Sequence, residues 1–193
     1  MALVEREGVG AVSMRRLAAE LGSGTMSLYN HIPNKGALLD AIGDRAMASI
    51  EWSPLPDASW QDQIRVQARA LRDVARRHPN TFLLIATRRL SSDEAVRPVE
   101  LALTSLEAAG YQGPTAVRML RAVLSYLIGT LLREVATTPE LGGVALTPFV
   151  GVSAELFPRV VALAVELDHQ DHDVEFEFGL ELLIDALERH PRS

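Results

Sequence analysis

The sequence predicts an all-α protein: an N-terminal helix-turn-helix head and a larger C-terminal helical domain. Three observations predict this. Apolar residues recur at helical spacing along most of the chain. No segment shows the apolar–polar alternation of a half-buried strand. Near the N-terminus, two short periodic segments flank a Gly-Ser-Gly break, which is the pattern of two helices joined by a tight turn.

The elements are justified in chain order. Met14, Leu17, Ala18 and Leu21 keep i, i+3, i+4, i+7 spacing, with Ser13 placed to cap them. Gly22-Ser23-Gly24 interrupts the pattern. A short helix is predicted from Thr25 to His31, with Ile32 as its boundary because Pro33 comes next. Leu39, Ile42, Ala46 and Ile50 mark the next helix. Ser53-Pro54-Leu55-Pro56-Asp57 reads as a linker, dividing the chain into residues 1–50 and 51–193. Trp60, Ile64, Leu71 and Ala75 mark a long amphipathic helix ending at His78-Pro79. Phe82 to Thr87 is a short apolar piece, and Glu94 to Ala109 a further helix stopped by Gly110. Pro114 suits the first turn of a helix running to Val135. That helix is apolar on most sides, as a buried helix would be. Thr137 to Gly151 reads as a loop, and Phe157 to Leu167 and Val174 to Glu188 as the last helices. The total is roughly nine or ten helices.

Composition narrows the function. Among 193 residues there is no cysteine, which excludes disulfides, thiolate nucleophiles and Cys-ligated zinc. No run of apolar residues approaches the roughly 18 needed to span a membrane, and no signal peptide is visible, so a cytoplasmic protein is expected. The net charge is −6. Residues 1–50 are balanced, with Arg6, Arg15, Arg16, Lys35 and Arg45 against Glu5, Glu7, Glu20, Asp40 and Asp44. The negative surplus lies in the body. A neutral head on an acidic body suits selective rather than promiscuous contact with DNA.

The informative segment is SMRRLAAELGSGTMSLYNHIPNK, Ser13 to Lys35. Leu17, Leu21, Leu28 and Ile32 are placed to pack its two helices together. Thr25, Ser27, Asn30 and His31 offer short polar side chains outward, with Arg15, Arg16 and Lys35 beside them for phosphates. From Met26 to Ala41, MSLYNHIPNKGALLDA closely resembles the TetR family of bacterial transcriptional repressors. The last stretch, FEFGLELLIDALE, is similar to the C-terminal dimerisation helix of its tetracycline-repressor branch.

The resemblance implies roles residue by residue. Arg15 is expected to reach a base, where arginine can pair with guanine O6 and N7. Ser13, Tyr29, His31 and Lys35 are expected at phosphates, Thr25 and Ser27 at bases, and Asn30 beside them at a position often held by an aromatic. One departure is large: the family's first helix normally begins about ten residues earlier, and only Ala2 to Glu7 correspond to it here. A misassigned start, a fragment or a truncated head would each account for that.

In the family, the body encloses a small-molecule pocket and two late helices pair with a partner chain. Trp60, Phe82, Met119, Tyr126 and Arg133 are the candidate ligand-binding residues. Leu120, Leu124 and Leu127, with the stripe Phe176, Leu180, Leu183, Ile184 and Leu187, are expected to build a four-helix bundle across a two-fold axis. The magnesium–drug chelate of the tetracycline-binding branch is not expected. Glu51 and Thr87 stand where its histidines would be, and Glu134 near its glutamate. No cofactor, metal or catalytic residue is expected. The function implied is a ligand-responsive repressor that binds a palindromic operator as a homodimer and is released by a small-molecule inducer. Two alternatives stand beside it: a dimeric small-molecule-binding protein with an impaired head, and a metal-dependent hydrolase built on Asp168-His169-Gln170-Asp171-His172-Asp173.

Overall fold

A computed structural model describes residues 1–52, 55, 57–88, 92–135 and 151–191. Among the described residues the helices are α1 (Ala2–Glu7), α2 (Met14–Glu20), α3 (Thr25–Tyr29), α4 (Lys35–Ala48), α5 (Trp60–Arg77), α6 (Pro79–Thr87), α7 (Asp93–Ala108), α8 (Gly113–Val135), α9 (Pro158–Ala162), α10 (Ala164–Asp168) and α11 (His172–Glu188). No strand occurs among the described residues. Most of the expected linker at Ser53–Asp57 and of the loop at Thr137–Gly151 lies outside them.

Local chemistry sets most boundaries. Ser13 is extended and its Oγ accepts Arg16 N at 3.2 Å, capping α2. At the other end Ser23 N bonds Ala18 O at 2.9 Å and Gly22 N bonds Ala19 O at 3.2 Å, with Gly22 at φ 62. This is the Schellman pattern, and its left-handed residue favours glycine. Asn34 caps α4 through Ala37 N at 2.9 Å. Ser59 caps α5, and Ser92 caps α7. The piece expected at Phe82–Thr87 begins earlier, because Pro79 supplies the first turn of α6.

The chain divides into two compact units, Met1–Leu124 with Pro191 and Ser125–His190, so the head is packed as one with the helices that follow it. The reason is packing. The head core of Leu3, Val4, Val12, Met14, Ala18, Leu28, Leu38 and Leu39 is completed by Leu84 from α6. Helix α4 packs on α6 and α7, and α1 on α6. The short α1 contributes Leu3 and Val4 to that core. Further along the same unit, Trp60 of α5 meets the ring of Tyr111 edge-on, centroids 5.9 Å apart, just beyond the turn that ends α7.

Helix α8 departs from the expectation of burial on most sides. Ala116, Met119, Leu120, Val123, Leu127, Leu131 and Val135 form one buried stripe, while Arg118, Arg121, Leu124, Ser125, Gly129 and Arg133 are exposed. By length and composition α8 is apolar enough to cross a membrane, and its buried stripe has the spacing of a core helix. In the second unit, the segment expected as one helix over Phe157–Leu167 is broken at Leu163 into α9 and α10. Neither buries a residue, so no packing holds them in line. Helix α11 starts two residues earlier than expected, because Asp171 Oδ1 accepts Asp173 N and Val174 N at 3.0 and 3.1 Å.

Candidate nucleic-acid interface and ligand cavities

Helices α2 and α3 form the helix-turn-helix. Leu28 is buried and Leu17 and Ile32 are half-buried against the head core. Leu21, expected in that core, is 62% exposed, because it is the C-cap of α2 beside the glycine turn. Helix α3 is shorter than expected. His31 N already bonds Leu28 O at 3.1 Å, three residues back, as the chain tightens before Pro33.

The reading surface is polar and open. Ser27, Tyr29, Asn30 and His31 are all exposed on or just after α3. Thr25 opens α3, and the expectation for its side chain lies outside the described atoms. Arg15 is exposed on α2 and forms no ion pair with another described residue. Other cations are engaged within the head. Arg16 pairs with Glu7, and Arg6 bonds Glu20 at 2.8 Å. Glu20, then Glu7, raises the Arg6 guanidinium above its ordinary range. Lys35 Nζ donates to Gly10 O at 3.3 Å, so this residue ties α4 to the turn after α1. Ser13 Oγ is an acceptor in its cap, which leaves its hydrogen for another partner.

Spacing alone does not show a second feature, because its partners are far apart in sequence. Helix α6 is tied to the head at both ends. At its start, Glu5 of α1 accepts Thr81 N at 2.6 Å through its carboxylate and Asn80 Nδ2 at 3.1 Å through its carbonyl. Glu5 thus does the capping that His78 does not do with its own side chain. At the other end, Arg88 Nε bonds Asp40 Oδ1 at 2.7 Å and Arg88 Nη2 bonds Gly36 O at 2.8 Å, both on α4.

The residues expected around a ligand include three that line cavities in the described structure. Trp60 lines a cavity of about 480 Å³ between α5 and α7, with Leu55, Gln63, Leu101 and Thr104. Tyr126 and Arg133 line another of about 400 Å³ between α8 and α11, with Ser125, Gly129, His172 and Phe178. Phe82 and Met119 are buried core residues. Their apolar character reads the same from sequence in either role.

The residues expected to meet a partner chain differ in exposure within the single chain. Phe176, Leu180 and Ile184 are buried within the chain, as are Leu120 and Leu127, while Leu183 and Leu187 are half-buried. Leu124 is exposed. On α11 the exposed apolar residues are Val174, Phe178 and Leu182, which lay off the expected stripe. Tyr126 holds this packing: its hydroxyl donates to Phe176 O at 2.7 Å, and its ring lies against Gly179, where no side chain could fit.

The segment Asp168–Asp173 is not arranged as a metal site. His169 ends α10 and His172 opens α11, so the two histidines do not share a helix. Asp171 is occupied as a cap.

Comparison with known proteins decides the family. Residues 1–42 match the profile of the bacterial regulatory proteins of the tetR family, and residues 53–190 match the tetracyclin repressor-like C-terminal domain. The chain belongs to the TetR family. Its relatives include the HTH-type transcriptional repressor DrrR1 of Streptomyces coeruleorubidus, 30% identical, covering 96% of this chain and 73% of the relative. The class A tetracycline repressor from transposon 1721 of Escherichia coli is 28% identical over 96% of this chain and 85% of its own. The crystal structure of ActR from Streptomyces coelicolor in complex with actinorhodin superposes with a TM-score of 0.83 at 29% identity, covering 97% of this chain and 91% of that one. The TetR-type head explains why the exposed residues gather on α3, since the second helix of the motif is the one that enters the major groove.

Proposed function

We propose that this TetR-family regulator is a ligand-responsive repressor, not an enzyme. It binds an operator as a homodimer in the bacterial cytoplasm and releases it when a small molecule occupies its body. The observation that carries this reading is the double attachment of α6. This helix supplies Leu84 to the core of the DNA-binding head, and it is fastened to α1 by Glu5 and to α4 by Arg88. A ligand that shifts α6 must shift α1 and α4, and with them the reading helix packed on the same core. DrrR1 bears the name of a repressor, and ActR has been crystallised with actinorhodin and with (S)-DNPA, which supports a small-molecule effector.

The dimer is proposed on α11. Val174, Phe178 and Leu182 recur every four residues and leave an apolar face open, beside a groove floored by the small residues Ser125 and Gly129. A second copy covers this face, and a two-fold axis places two reading helices on successive turns of DNA, roughly 34–36 Å apart.

The test is selection of bound duplexes from a random pool. Enrichment of a palindrome with two matching half-sites is expected. A folded, dimeric protein that enriches nothing would favour the alternative of a ligand-binding protein with an impaired head.

A further inference from the structure

Met26 is the most exposed large apolar side chain of the head, at 77%. It lies two residues before Leu28 on α3. On a helix of 3.6 residues per turn this directs it roughly 160° away from Leu28. Leu28 is the α3 residue buried in the head core, so Met26 occupies the outermost line of the recognition helix. Its neighbours Ser27 and Tyr29 lie on the flanks of that line. When α3 enters a major groove by its outward face, Met26 is therefore the side chain that goes deepest.

A methionine there cannot read bases by hydrogen bonding. It has no donor, and its sulfur is a weak acceptor. It can make an apolar contact, and its unbranched thioether adapts to an irregular surface. Among the four base pairs, only those containing thymine present an apolar group in the major groove, the 5-methyl. We propose that Met26 is a specificity-determining residue that reads a thymine 5-methyl group, once in each half-site. Arg6 and Arg16 are paired within the head, which agrees with a reading surface that relies on shape and methyl contact as well as charge.

This inference rests on the operator-binding reading above, and the experiment separates the two. An operator is first selected with the wild-type protein. Each thymine of its half-sites is then replaced, symmetrically, by deoxyuridine. That change removes the methyl and keeps the base pair and O4. Affinity is measured for the wild type, Met26→Ala and Met26→Leu, each checked for folding by circular dichroism. One thymine position should weaken wild-type binding about fourfold per half-site, the effect of taking one methyl out of an apolar contact. The same replacement should leave Met26→Ala unaffected and should still weaken Met26→Leu. A wild type indifferent to deoxyuridine at every position overturns the proposal, as does an effect that persists in Met26→Ala or an operator without thymine in its half-sites. A wild type that selects no operator overturns the DNA-binding reading itself and this proposal with it.

Discussion

Asp62 accepts hydrogen bonds from Ser59 Oγ at 2.8 Å and from Arg65 Nη1 at 2.9 Å. Both favour the ionised carboxyl, so it titrates below its ordinary value, the Ser59 bond being the larger cause. A group whose folded-state value is lowered contributes stability that is present above its ordinary value and lost as pH falls through the lowered one. Urea melts across an acid pH series should therefore show the wild type and Asp62→Asn differing most near neutral pH and converging in acid. A difference independent of pH would mean that Asp62 acts through shape alone. At the DNA face the division of labour is between Arg15 and Lys35. Arg15→Ala should cost about 1–3 kcal/mol at one base pair and relax preference there. Lys35→Ala should weaken all sequences alike and reduce the salt slope by about one. Binding isotherms on matched and mismatched duplexes across a salt series check both, and identical behaviour of the two variants would refute the assignment. Residues with local partners were legible in the sequence. Ser13, placed to cap α2, does accept the backbone N–H three residues further on. Glu7 as the partner of Arg16 was not legible, since only the folded head brings α1 and α2 together.

The contact between α8 and α11 turns on Gly179. A Cβ built there would stand 2.5 Å from the Tyr126 hydroxyl and 2.6 Å from Cε2 of its ring. The ring is itself fixed by the hydrogen bond to Phe176 O and by its tilted packing on Phe176 at 6.5 Å. It cannot simply swing aside. Gly179→Ala should destabilise the protein by about 1–3 kcal/mol through overpacking. The same change in a Tyr126→Ala background should cost much less, and a double-mutant cycle of chemical denaturation measures the difference. Additive effects would show that the clash is relieved elsewhere. Helix periodicity made α11 legible as an element, together with its buried stripe of Phe176, Leu180 and Ile184. It could not say what covers the stripe, because a core inside one chain and a core shared by two chains demand the same spacing. The break between α9 and α10 was illegible for a related reason. Residues 158–168 are apolar enough to propagate a helix, and the interruption reflects the absence of buried side chains there.

At the scale of the whole molecule, the DNA-binding head shares its core with α6. Sequence marked a boundary at 50/51 from the prolines of the linker, and linkers are read from composition. The compact unit extends to Leu124 because Leu84 fills the head core and Arg88 and Glu5 fasten α6 to it. These contacts join residues 48 to 76 positions apart, beyond the reach of any local pattern. They also set the terms on which a ligand and an operator communicate. If ligand binding favours one placement of α6 and operator binding another, each lowers the affinity of the other by the same factor. A typical coupling of about 1–3 kcal/mol corresponds to roughly 5–150-fold in each direction. Calorimetric titration of an inducer into free protein and into protein saturated with its operator measures one direction. Operator titration with and without saturating inducer measures the other. Equal factors are expected in the wild type. Arg88→Ala should shrink both factors together, because it releases the α4 end of α6 while leaving the reading face of α3 intact. An inducer whose affinity is unchanged by saturating operator would show that it does not act through the head. Factors that stayed large in Arg88→Ala would place the coupling on a path other than the α4–α6 tie.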